Sequence, residues 1–77
     1  PEPAKPPQNE SEFDRLTDVL NEFLEGFKEA LDVKAKDGNN PYQLAEAEIA
    51  DPKATEESRK MMITRIRTFL TAKGIRV

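Results

Sequence analysis

The chain has 77 residues, 12 Lys and Arg against 15 Asp and Glu, a formal net charge of −3, and no His, Cys or Trp. That length fits one small domain or a part of a larger chain. The missing residue types exclude a zinc site, a Cys or Ser/His nucleophile and a disulfide framework.

No apolar run approaches the roughly 20 residues that cross a bilayer, and no secretory leader opens the sequence. A hydrophobic content of 36% leaves an economical core and predicts marginal stability unless a partner adds to it. Residues 1–10, PEPAKPPQNE, hold Pro1, Pro3, Pro6 and Pro7 and no large apolar side chain. Nothing there repays the entropy of ordering, which predicts a disordered arm with polyproline II bias. Pro1 reads as the residue left after removal of an initiator Met. Pro3-Ala4-Lys5-Pro6 matches PxxP, a pattern that any Pro-rich arm produces by chance.

The first helix is predicted near 11–34. Ser11 and Asp14 have the spacing of a capping box. Phe13, Leu16, Leu20, Phe23, Leu24, Phe27 and Leu31 then follow at the period of one helical stripe. Gly26 costs about 1 kcal/mol relative to Ala inside a helix, and its presence there points to a close approach by another helix. The breaker cluster Asp37-Gly38-Asn39-Asn40-Pro41 ends the segment. A second helix, near 41–50, has Asn40 as cap, Pro41 at the first position and Gln43 completing the box. Tyr42, Ala45 and Ile49 form one of its faces, and Asp51-Pro52 stops it. The third helix is predicted near 54–73. It opens at Thr55 or one turn earlier, with Glu56 and Glu57 at the positive end of the dipole. Met62, Ile63, Ile66, Phe69 and Leu70 form its stripe. Gly74 fits the left-handed position after the helix, and Ile75 then meets Leu70 as in a Schellman motif. Ile75-Arg76-Val77 alternates like the start of a strand, so residues 75–77 read as a linker or the edge of a further domain.

The sum is an all-α chain: a Pro-rich arm over 1–10 and a small three-helix bundle over 11–74. The predicted core is Phe13, Leu16, Leu20, Phe23, Leu24, Phe27, Leu31, Leu44, Ile49, Met62, Ile63, Ile66, Phe69 and Leu70. The second helix, only about ten residues long, is the element expected to be least protected against opening.

Catalysis would have to use Asp, Glu, Lys or the single Tyr42 in a setting that shifts a pKa, and the carboxylates fall on polar faces or in loops. No enzyme activity, cofactor or metal is expected. Asp37-Gly38-Asn39-Asn40 lacks the spaced oxygen ligands and terminal Glu of a calcium loop and reads as a turn. Two surfaces are more specific. Asp14, Asp18, Glu22, Glu25, Glu29 and Asp32 are spaced so that, at ~100° per residue, they form a line opposite the Phe/Leu stripe. That ridge reads either as a solvated face or as a dock for a basic surface. Residues 58–77 carry Arg59, Lys60, Arg65, Arg67, Lys73 and Arg76 and no acid, an asymmetry that nucleic-acid binders share. On a helical projection Lys60 and Arg67 flank one side of the stripe and Arg65 the other, where their stems cover the core edge. Between these flanks lie Met61, Thr64, Thr68 and Ala72. Thr is a poorer helix former than the residues that usually fill a solvent face. This strip is either the seat of the second helix or a partner-binding surface.

Asp51-Pro52-Lys53-Ala54-Thr55, followed by Arg67-Thr68-Phe69-Leu70 and Lys73-Gly74-Ile75, resembles a pattern of small terminase subunits of tailed phages. That resemblance implies a non-catalytic DNA-packaging subunit contacting DNA through the third helix. The organisation, a Pro-rich arm, a helical bundle and a following strand-like edge, resembles the capsid-binding module of phage head decoration proteins. It implies docking on an assembled capsid shell, a place on the virion surface, and a module that is monomeric in isolation. Without the phage resemblance the expectation is a soluble cytoplasmic protein. In either case the expected partner is another protein, not nucleic acid and not a membrane.

Overall fold

The computed structural model describes residues 11–35 and 38–77. The expected arm and its PxxP match lie outside the described residues. Four helices pack into a small all-α bundle: α1 (Glu12–Gly26), α2 (Lys28–Leu31), α3 (Pro41–Ala50) and α4 (Glu56–Ala72). Among the described residues there is no strand, and Ile75–Val77 does not begin one.

Helix α1 starts where its cap predicts, with Ser11 Oγ accepting from the Asp14 amide at 3.1 Å. Its stripe buries Leu16, Leu20, Phe23 and Leu24. The first helix does not run unbroken to residue 34. Phe27 takes φ −128° and ψ 32°, outside the helical region, and a single turn, α2, follows. The break sits beside Gly26, the weakest helix former of the segment. A side-chain carbon built on Gly26 would meet nothing within 4 Å, so the expected close approach of a second helix is absent. Glycine here loosens the helix rather than making room. The Phe23 and Phe27 rings lie 6.0 Å apart across the break, and Leu31 beyond it is fully buried.

Helix α3 has the expected box: Asn40 Oδ1 accepts from the Gln43 amide at 2.8 Å, and Gln43 Oε1 accepts from the Asn40 amide at 3.1 Å. Asn40 is itself buried, and its Nδ2 donates to Asp32 Oδ1 and to the Val33 carbonyl, both at 2.8 Å. Ala45 is the one buried apolar residue of α3, while Tyr42 and Ile49 pack against the core from partly exposed positions.

Helix α4 begins after Thr55, with Thr55 and Ser58 capping each other reciprocally. It ends in the predicted Schellman geometry. Gly74 has φ +85°, the Ile75 amide donates to Leu70 O and the Gly74 amide to Thr71 O, each at 2.9 Å.

The core is Leu16, Leu20, Phe23, Leu24, Leu31, Ala45, Ile63, Ile66 and Leu70. Phe27, Ile49, Met62 and Phe69, expected inside, pack against it only partly buried. Phe13 and Leu44, also expected inside, are half-buried. With so few side chains fully enclosed, each carries a large share of the stability. Leu20→Ala, at a fully buried site, should cost about 2–5 kcal/mol, which approaches the whole stability of a domain this small. Its thermal unfolding should lose cooperativity, whereas Leu44→Ala should leave a clear transition. A second expectation concerns local opening. Helix α3 buries one apolar side chain against four on α1, so amides of residues 42–50 should exchange with solvent faster than those of residues 20–25. Equal protection of the two segments would show a uniformly rigid bundle.

Candidate functional site

The inner face of α4 decides which way its outer face points. Arg59, Ile63, Ile66 and Leu70 are all buried, spaced four, three and four apart along one stripe. Arg59 is the unexpected member. Only 3% exposed, it stacks its guanidinium 4.5 Å from the centre of the Phe13 ring. Its Nη2 donates to the Ile49 carbonyl at 3.2 Å, and its Nε lies 3.6 Å from Glu48 Oε2. Neither Nε nor Nη1 has a hydrogen-bond partner among the described residues. The Glu48 carboxylate accepts instead from Ser58 Oγ at 2.8 Å. One side chain therefore ties the start of α1, the end of α3 and the first turn of α4. Sequence reasoning counted Arg59 among the basic residues of the third helix and missed its burial. The signal was its place four residues before Ile63, on the core stripe.

With that face turned inward, Met61, Thr64, Thr68, Thr71 and Ala72 are exposed. Met61 stands 69% exposed. Helix α3 does not cover this strip. Its hydrogen bonds with α4 are made at Ser58 and Arg59. Met61 instead forms a ridge between two shallow grooves. One, of about 340 Å³, is lined by Glu57, Lys60, Met61, Thr64 and Arg65. The other, of about 230 Å³, lies toward α3 and is lined by Glu48, Ser58, Met61, Met62 and Arg65. Arg65 borders both. Arg67 is exposed but turned elsewhere: it shares a notch with Val19, Glu22, Phe23 and Phe27 on the α1 side. Met61, Thr64, Arg65 and Thr68 thus form one surface spanning about 10 Å of helix, and Arg67 stands apart from it.

The acidic ridge is only partly continuous. Asp14, Asp18, Glu22 and Glu25 are exposed on α1, opposite its buried stripe. Glu29 and Asp32 lie beyond the break at Phe27, and the Asp32 carboxylate holds the Asn40 side chain. Asp32 therefore has a structural task at the entry to α3. Lys28, which interrupts the run in sequence, places its Nζ 5.7 Å from the centre of the Tyr42 ring. Among the described residues no three carboxylates converge closely enough to hold a metal ion, and no helix is long and apolar enough to cross a membrane.

The Arg59 arrangement yields a stability test. Removing the side chain leaves a hole beneath Phe13 and frees the Ile49 carbonyl. Replacing it with an apolar chain of similar length keeps the packing and removes two unpartnered donors. In urea titrations Arg59→Ala should lose about 2–3 kcal/mol and Arg59→Met less than half of that. Equal losses would mean that the charge, not the packing, holds the three helices together. Comparisons with protein-family models, with curated proteins and with solved structures find no match to this chain.

Proposed function

We propose that the chain is a non-enzymatic protein-docking module whose contact surface is the outer face of α4. The observation that carries this reading is Met61, 69% exposed in an uncharged strip with Thr64 and Thr68, rimmed by Lys60 and Arg65. An exposed apolar anchor within a polar rim is the anatomy of a protein contact, where a few central side chains dominate affinity. A flexible thioether between two shallow grooves suits a surface that adapts as it docks. The acidic line Asp14, Asp18, Glu22 and Glu25 lies on the outer face of α1 and would speed approach to a basic target without adding much affinity.

In its finer form the target is an assembled phage shell, and the module decorates it. The test is co-sedimentation with the shell of the phage that encodes the chain. Met61→Asp should weaken docking about tenfold or more with its far-ultraviolet circular dichroism unchanged, because the side chain touches no core. Undiminished docking of that variant would overturn the choice of face. Raising salt should slow association more than it speeds release.

A second reading, a DNA-packaging subunit resembling small terminases, has one observation in its favour: Lys60, Arg65 and Arg67 on α4, and Lys73 just after it, are all exposed. It predicts duplex-DNA binding whose affinity falls steeply with salt and is lost on Arg65→Ala with Arg67→Ala. The docking reading predicts no such binding at physiological salt.

A further inference from the structure

We propose that Met61 is an oxidative switch on the α4 docking face, a site at which a peroxide converts an apolar anchor into a polar one. This rests on the reading of that face as a docking surface and adds its regulation. The chain has two methionines, adjacent in sequence and about 100° apart around α4, and the fold treats them oppositely. Met61 is 69% exposed and belongs to no core cluster, while Met62 is partly buried and packs against the core. Thioether oxidation requires that the oxidant reach sulfur, so exposure directs it to Met61. In the reaction the sulfur lone pair attacks one peroxide oxygen and the O–O bond breaks. The departing oxygen takes up the proton that the attacked oxygen gives up, and leaves as water or an alcohol. Sulfur is oxidised by two electrons to the sulfoxide, and the peroxide is reduced by the same two.

The consequences differ at the two positions. A sulfoxide at Met61 places a strong dipole on the ridge between the two grooves, where an apolar contact is needed, and leaves the core untouched. A sulfoxide at Met62 puts the same dipole against packed side chains and unsettles the fold. The first step therefore changes binding without changing stability, and methionine sulfoxide reductases can reverse it.

The experiment treats the chain with hydrogen peroxide and follows each methionine by fragment-ion mass spectrometry, which resolves the two adjacent residues. Sulfoxide should accumulate at Met61 at least about fivefold faster than at Met62. The singly oxidised chain should keep the melting temperature of the native one and lose docking to the shell about tenfold. Whatever docking Met61→Leu retains should be unchanged by the same treatment, while Met62→Leu should remain sensitive. Equal oxidation rates at the two positions would overturn the proposal. So would full docking of the Met61 sulfoxide, or loss of docking by oxidised Met61→Leu. If docking survives Met61→Asp, the docking face itself is misassigned and the switch falls with it. If Met61→Asp abolishes docking while the Met61 sulfoxide docks fully, only the switch fails.

Discussion

The burial of Arg59 ties three of the four described helices together. A guanidinium taken out of water is costly unless its charge and donors find partners, and this one finds part of what it needs on two neighbouring helices. Its planar face lies on Phe13, one edge bonds the Ile49 carbonyl, and the Glu48 carboxylate stands close by. The partners come from the start of α1 and the end of α3, so these two elements and α4 cannot shift independently. The two donors left without partners mean that the arrangement is not the most stable way to fill the space. The arginine specifies where the helices meet more than it strengthens their meeting.

That specification explains why one face of α4 stays bare. Helix α3 is short and is fixed at both ends by polar groups. Asn40 bonds to Asp32 and Val33 at its start, and Glu48 and Ile49 meet Ser58 and Arg59 at its finish. Among the described residues no element buries the outer strip with Met61 and Thr64. The outer face of α1 carries carboxylates and no apolar anchor. The molecule therefore presents two unlike faces, one suited to steering and one to contact.

Much of this was legible in the sequence because it is local. Caps at Ser11, Asn40 and Thr55, and the Gly74 terminator, act through groups three to five residues apart, and all four fall where their spacing predicts. The Thr/Met strip was legible too, since residues of poor helix propensity on a solvent face are anomalous. What could not be read depends on competition between distant groups. The break at Phe27 follows directly after Gly26, a weak helix former inside the segment. Periodicity alone continues through it, and so it carried Glu29 and Asp32 into a ridge that they leave. Arg59 was hidden by its class: a basic residue on the core stripe reads as a flank until the ring and carbonyl that receive it are placed in space.

The polar clamps on α3 also bear on the order of assembly. Asn40 reaches back 8 residues to Asp32, while Ser58 and Arg59 reach back 10 to Glu48 and Ile49. Loops this short close on the order of 10–100 ns and lose little chain entropy in doing so. The packing of α1 on α3, and of α1 and α2 on α4, demands more distant encounters. Most contacts being near in sequence, the chain belongs with the fast-folding helical topologies. Its slow step is the closure that brings the first helix onto the last, so substitutions at Leu20 or Ile66 should slow folding. Those at Asn40 or Ser58 act on turns that form and dissolve many times before that closure succeeds.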